Sequence, residues 1–386
     1  MTTASIDAIP GSEREVQFPV LRQIFASEQS QGLWGNISAM KKLSVFALLV
    51  LWATTVLGQD EPKFPSMPAA VSNNAVASLK GGFELFSMMG VGPKKNWDDV
   101  TNQVYVMTLT HSGKWSEGRS VPGPVGRLNA SAAGAKGVVV LMGGYVVDNQ
   151  GLELTVPDVN VYEPAAHRWS RGKDIPVPVD SAVTGVTHDR LIYLIGGRST
   201  AGPVNNVQIY NVEKDTWSQG TPFPGTPAFG MAGGVADENI VVVDGAKPGP
   251  AGGPRYVPSD ECWLGRIDHK DPTKIEWSKL PPHPGTARFG IAGGGADRDH
   301  RIYFSGGTAT PHDYKGASYD GKPADVSTVT FDYELHGHRW ETLSETTYDP
   351  RADGRGLLDT PLGPVVLGGM VKNLAVTARV TLFPKK

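Results

Sequence analysis

The chain has 386 residues, with 47 glycines, 30 prolines, one cysteine, a hydrophobic fraction of 40% and a formal net charge of −3. The near-neutral balance without a basic run excludes a nucleic-acid footprint, and a lone cysteine excludes an intrachain disulfide. High glycine and proline beside ordinary hydrophobic content is the mix of short strands and tight turns, not of helices.

In chain order, residues 1–39 show no hydrophobic period and are expected to be disordered, an over-extended start. Met40-Lys41-Lys42 then opens a secretory-signal pattern: a positive start, an apolar run over 43–57, and Val56-Leu57-Gly58 before Gln59. The run is shorter than the roughly 20 residues a membrane span needs. The expectation is a signal peptide over 40–58, a secreted or periplasmic chain over 59–386, and no membrane insertion after cleavage.

A repeat occupies the rest. Apolar strand-like runs at 83–90, 138–144, 191–197, 240–245, 301–307 and 365–369 each end in a glycine pair or a close variant. Trp115, Trp169, Trp217, Trp277 and Trp340 each precede the next pair by 27–29 residues. A constant phase across inserts of variable length marks a repeat array. The continuous apolar run LIYLI at 191–195 reads as a buried central strand. The stretches 229–237 (FGMAGGVAD) and 289–297 (FGIAGGGAD) are near copies built of small residues, as inner strands crowded around one axis require. Six runs predict an all-β, six-bladed propeller. Before residue 83 lie a Pro-rich link and a small-residue strand over 69–79; after 369 lies an alternating tail without tryptophan. Together the ends make one repeat, so the ring is expected to close by pairing of N- and C-terminal strands, which removes sheet edges.

These residues resemble kelch repeats over roughly 62–386. A closer resemblance is to the periplasmic sialic acid mutarotase (N-acetylneuraminate epimerase) family of six-bladed kelch proteins. It rests on 151–164 (GLELTVPDVNVYEP), 244–249 (DGAKPG), 275–281 (IEWSKLP) and 319–322 (YDGK). The resemblance implies a sugar site at one mouth of the ring. Two departures bear on activity. The glutamate that the family carries between the positions of Gly245 and Ala246, taken as catalytic, is absent. The arginine that follows Lys-Pro-Gly matches only Arg255, beyond a Gly/Pro-rich insertion.

Counting back 16 residues from the glycine pairs gives Arg127 and Asp180, and the corresponding places in later blades fall at Arg288 and Arg355. Loops after the pairs offer Tyr145, Arg198, Lys247 and Thr308, and the inserts 248–260 and 311–323 would form lips. Arg127, Asp180, Arg198, Lys247, Arg288 and Arg355 are therefore the expected ligand-binding set, a net-positive mouth for a carbohydrate or acidic small ligand. The plainer reading of each arginine is a brace between blades. Mutarotation needs one group to take the anomeric hydroxyl proton and another to protonate the ring oxygen. Asp244, Asp260 and Glu261 are the nearby carboxylates, and Asp244 with Arg255 is the expected catalytic pair. No cofactor and no metal are expected. His336-Gly-His338 reads as a solvated turn, the other histidines are scattered, and Tyr256 with Cys262 is a poor match for a copper-radical centre. The expected function is an exported binding propeller. The alternatives are a sialic-acid-type mutarotase and an extracellular protein-interaction platform.

Overall fold

The computed structural model describes residues 64–109, 113–344 and 349–383; the expected signal peptide and the segment before it lie outside them. Among the described residues every regular element is a strand or a short 3-10 turn.

Six antiparallel sheets follow one another along the chain. From inner to outer strand, blade 1 is Ala75–Leu79, Glu84–Val91, Val100–Thr108 and Lys114–Glu117. Blade 2 is Ser131–Ala135, Val138–Met142, Val159–Glu163 and Arg168–Arg171; blade 3 is Val183–Thr187, Leu191–Ile195, Val207–Asn211 and Thr216–Gln219. Blade 4 is Ala232–Ala236, Asn239–Val243, Cys262–Ile267 and Ile275–Lys279; blade 5 is Ala292–Ala296, Arg301–Ser305, Thr330–Glu334 and Arg339–Ser344. Blade 6 has three strands, Leu358–Thr360, Gly363–Leu367 and Val380–Leu382. Neighbouring inner strands touch in succession, and that of blade 6 returns to that of blade 1. One axial cavity of about 260 Å³ is lined by the inner strands of all six blades. The ring is therefore closed and six-bladed.

The sequence pattern has direct physical causes. Every residue of Leu191–Ile195 is buried, because the second strand of a blade is covered on both faces by its neighbours. The inner strands are small because blades converge: a Cβ on Gly294 would stand 1.9 Å from the Leu357 carbonyl oxygen of the next blade. Each repeat tryptophan donates its indole N–H across a blade boundary. Trp169 reaches Arg119 O at 2.8 Å, Trp217 reaches Lys173 O at 2.8 Å, Trp277 reaches Thr221 O at 3.3 Å and Trp340 reaches Pro281 O at 2.9 Å. An indole packed against the neighbouring blade finds such an acceptor for its polar tip, and the acceptor always lies just past the outer strand of the preceding blade. That shared task holds the tryptophans in phase.

Trp115 shows how the ring closes. Its acceptor is Pro65 O at 2.9 Å, so the N-terminal segment stands beside blade 6 as the link after an outer strand stands beside every other blade. Backbone bonds then tie the two ends: Met67 N to Ala378 O at 2.7 Å, Val71 N to Thr377 O at 3.2 Å and Gly369 N to Val71 O at 2.9 Å. The division of labour differs from the expectation in one respect. The small-residue strand Ala75–Leu79 belongs wholly to blade 1, and all three strands of blade 6 come from the C-terminal end.

Candidate functional site

At the mouth where each inner strand begins, the same geometry recurs six times. Isolated bridges join Ser72 to Val91, Leu128 to Tyr145, Asp180 to Arg198, Phe229 to Ala246, Phe289 to Thr308 and Ala352 to Met370. The next residue is left-handed in every blade: Asn73, Asn129, Ser181, Gly230, Gly290 and Asp353, with φ between 51° and 65°. This conformation favours Gly, Asn and Asp. Adjacent members are linked, for example Asn129 N to Asn73 O at 3.0 Å and Asp353 N to Gly290 O at 3.0 Å.

The residue before each bridge is Val71, Arg127, Val179, Ala228, Arg288 or Arg351. The three arginines are buried braces, which corrects the expected ligand set. Arg127 donates to Asp158 O at 3.1 Å and Asn160 Oδ1 at 2.7 Å, and burial lowers its pKa to about 10. Arg288 donates to Gly306 O at 2.8 Å and Ser327 Oγ at 2.9 Å. Arg351 donates to Gly368 O at 2.9 Å and pairs with Asp349. Arg351, not Arg355, is thus the repeat arginine of blade 6. Arg355 lies further in, lining the axial cavity, with Nη2 3.3 Å from Asp353 Oδ1 and its buried Nε without a hydrogen-bond partner.

Asp244 is also removed from the mouth. It replaces the first glycine of its pair with φ 60°. Its Oδ2 accepts from His283 Nε2 and from the Arg288 amide, both at 2.8 Å, while Oδ1 is buried without a partner. Burial raises its pKa. The carboxylate holds two blades together and lines no part of the cleft described next. Glu261 is likewise structural, accepting from Thr226 Oγ1 at 2.6 Å and Trp263 Nε1 at 2.9 Å. Asp260 and Lys247 stand 3.7 Å apart near the surface, and Thr308 is buried.

The two inserts do form lips. The first is a small hairpin, Ala246–Pro248 paired with Tyr256–Pro258. The second runs into the mouth and buries His312 and Tyr314. Beside this plug lies a cleft of about 450 Å³, within the size range of small-molecule sites. It is lined by Arg255 and Tyr256 from the first insert, Asp313 and Tyr319 from the second, and Tyr145, Glu153 and Arg198 from blades 2 and 3. Two arginines and two carboxylates line it, so the expected net-positive ring is absent. Arg198 is held by Asp180 Oδ2 at 3.0 Å and Glu153 Oε2 at 2.7 Å, and lies over the rings of Tyr145 and Phe229. Burial opposes its charge, but the two carboxylates outweigh that and its pKa is raised. Burial raises Asp180, with Arg198 and Ser181 pulling it back. Arg255 is exposed, stands 5.2 Å from the Tyr256 ring centroid, and has no ion pair among the described residues. Tyr256 and Tyr319 meet edge to face at 5.0 Å.

Of the predicted residues, the structure brings Arg198, Arg255 and Tyr145 to one cleft, with Asp180 directly beneath. Glu153, Tyr256, Asp313 and Tyr319 were not among the expected ligand residues. Glu153 and Tyr319 did lie in stretches, 151–164 and 319–322, that carried the resemblance.

The Kelch motif matches residues 181–224. Human Kelch-like protein 34 is 27% identical over 205 residues, 50% of this chain and 29% of that protein. The Rho GTPase-activating protein gacHH of Dictyostelium discoideum is 24% identical over 127 residues, 31% of this chain and 8% of that protein. The chain thus matches less than a third of either protein. N-acetylneuraminate epimerase of Pasteurella multocida (strain Pm70) is 23% identical over 348 residues, covering 80% of this chain and 84% of that protein. The solved structure of YjhT matches with a TM-score of 0.68 at 18% identity, over 84% of this chain and 97% of that chain, a likeness of fold. The chain is a kelch-repeat β-propeller with a distant resemblance to N-acetylneuraminate epimerase.

Proposed function

We propose that this propeller is an exported protein that binds a carbohydrate bearing a carboxylate, in the cleft over its loop-bearing mouth. The observation that carries the reading is Arg255: an arginine without an ion pair among the described residues, at the edge of a tyrosine-lined cleft. A guanidinium is suited to bidentate capture of a carboxylate. Tyr256 and Tyr319 offer ring faces and hydroxyls to a sugar. Arg198 is already neutralised by Asp180 and Glu153, and serves as a fixed wall rather than a free anion receptor. A partner-docking platform would call for a flat apolar patch, whereas this mouth presents a polar recess. Calorimetric titration with N-acetylneuraminate tests the reading. Binding should weaken at least tenfold in Arg255→Ala and be weaker still for neutral N-acetylglucosamine. Equal affinity for the two sugars, or binding indifferent to Arg255→Ala, would overturn it.

A second reading is a sugar mutarotase, supported by the likeness to N-acetylneuraminate epimerase over most of the chain. The carboxylate for it is Glu153, which lines the cleft, and not the buried Asp244. Glu153 would take the proton of the anomeric hydroxyl as the ring C–O bond opens, with Arg198 holding its charge in place, and the ring oxygen would take its proton from water in the open cleft. NMR exchange between the anomers of N-acetylneuraminate should then be accelerated by the protein and lose that acceleration in Glu153→Gln. Acceleration that survives Glu153→Gln would remove this assignment.

A further inference from the structure

The opposite mouth of the ring, where inner and second strands are joined by tight turns, carries chemistry that chain order hides. The turn of blade 4 is Asp237-Glu238, with φ 48° and 59°, and that of blade 3 is His188-Asp189, with φ 53° and 51°. Consecutive left-handed residues make a stiff hairpin turn with fixed side-chain directions. These turns are also tied to their neighbours. Asp237 N donates to Asp297 Oδ1 at 3.0 Å, and Lys136 N donates to Asp189 Oδ1 at 2.9 Å. Because Asp237 and Glu238 are adjacent, one carboxylate leans toward blade 5 and the other toward blade 3.

Each meets two histidines. Glu238 Oε1 lies 2.9 Å from His188 Nε2 and 3.0 Å from His269 Nδ1. His269 stands on the next turn of blade 4, where Asp268 Oδ1 accepts the amides of Lys270 and Asp271 at 2.9 Å and 2.8 Å and fixes the loop. On the other side Asp237 Oδ2 pairs with His300 Nδ1, and the His300 ring lies 4.3 Å from that of His336. In each group the three donor atoms lie within 4.8 Å of one another.

The geometry points to two neighbouring divalent-metal sites on this rim, His188/Glu238/His269 and Asp237/His300/His336. Two imidazoles and one carboxylate are a donor set for a borderline first-row ion such as Zn²⁺, Ni²⁺ or Cu²⁺, rather than for Ca²⁺ or Mg²⁺, which prefer all-oxygen shells. Metal–ligand bonds of about 2.1 Å set neighbouring donors roughly 3.0–3.4 Å apart, and the donor separations around Glu238 need little adjustment to reach this. Three protein donors leave positions open, and these face solvent because the His269 side chain is 80% exposed. Water, or a carboxylate or imidazole from another molecule, would complete the shell. The first ion would bridge blades 3 and 4, the second blades 4 and 5. A third grouping, Asp244 with Cys262 and His283, is of a different kind. It is buried, and His283 is already held between Asp244 Oδ2 and Pro284 O, both at 2.8 Å.

The test is calorimetric titration of the untagged full chain with Zn²⁺, beside the double variants His188→Gln/His269→Gln and His300→Gln/His336→Gln and the quadruple variant. All four histidines sit at or near the surface, so far-UV circular dichroism should stay unchanged. The expected result is two ions per wild-type chain at micromolar affinity, one in each double variant and none in the quadruple variant, with melting temperature rising on Zn²⁺ addition in step with occupancy. A stoichiometry unchanged by the variants, or no uptake by the wild type below millimolar Zn²⁺, overturns the proposal. Loss of binding in one double variant alone keeps that site and overturns the other.

Discussion

The two mouths of this ring are built from the same six repeats and differ in kind. At the loop-bearing mouth, bridges and left-handed residues repeat in every blade, and backbone bonds between adjacent blades make a rim that is largely main chain. Its repeat arginines are buried under that rim as braces. Chemistry enters through the inserts 248–260 and 311–323, which bring in Arg255, Tyr256 and Tyr319 beside Glu153 and Arg198 of blades 2 and 3. At the opposite mouth the turns are short, and the side chains of adjacent turns meet directly in solvent. A residue at the first mouth is therefore either framework or ligand site according to its depth. At the second, nearly every polar residue is surface, and a site can arise only where neighbouring turns carry complementary donors.

The sharpest break of this comparison is to exchange a framework arginine and a cleft arginine. Arg351 is fully buried and joins Gly368 O, Thr381 Oγ1 at 2.7 Å and the Asp349 carboxylate. Arg351→Met leaves Asp349 short of its main partner inside blade 6, where breaking a buried ion pair costs about 3–5 kcal/mol. Arg255→Ala should leave stability within about 0.5 kcal/mol, as for other exposed positions. Urea unfolding of both variants checks the contrast; an Arg351→Met loss under about 1 kcal/mol would show that the repeat arginine is not a brace.

A smaller effect concerns the plug. His312 Nε2 lies 2.8 Å from Asp353 Oδ2, both side chains almost wholly buried. His312 also faces Thr310 O and, nearby, Asp313, with Phe289 edge-on. Burial disfavours the imidazolium, but Asp353 outweighs it and the His312 pKa is raised. Burial likewise opposes the Asp353 anion, but His312 outweighs it and the Asp353 pKa is lowered. A raised histidine stabilises fully below its unfolded value of about 6.5, and that contribution disappears as pH rises through the folded value. The depressed aspartate stabilises above about pH 4 and loses its contribution as pH falls through its folded value. The pair therefore supports the plugged mouth most between those limits. His312→Gln should lower the melting temperature more at pH 5.5 than at pH 8.5. An equal loss at both would mean that folding leaves the imidazole pKa where it is in the unfolded chain, and a larger loss at pH 8.5 would mean that the imidazole is neutral in the fold.

The ring was legible because a repeat performs one task many times. Every repeat tryptophan needs the same acceptor on the preceding blade, so its spacing to the glycine pair is held constant. The mouth was less legible because counting from the glycine pairs drifts wherever an inner hairpin changes length. That drift put Arg355 in the place of Arg351 and Asp180 in that of Val179. Asp244 looked catalytic as a break in the repeat, yet its carboxylate does framework work on His283 and the Arg288 amide. The histidines of the far rim, from His188 to His336, are scattered in the chain, and only the curvature of the ring sets their turns side by side.

The smallest expected effect separates the rims most finely. Glu238 has a 30% exposed side chain and contacts two exposed histidines directly. Exposed ion pairs contribute about 0–1 kcal/mol because water screens them and the side chains lose rotamer freedom. Without metal, Glu238→Gln should therefore shift the unfolding free energy by less than about 1 kcal/mol, although it touches as many partners as many buried groups do. The same substitution should abolish the rise in melting temperature that Zn²⁺ brings through the first site. A large metal-free loss would mean that Glu238 braces blades 3 and 4 as Arg351 braces blade 6, and the distinction between a main-chain rim and a side-chain rim would then fail at this turn.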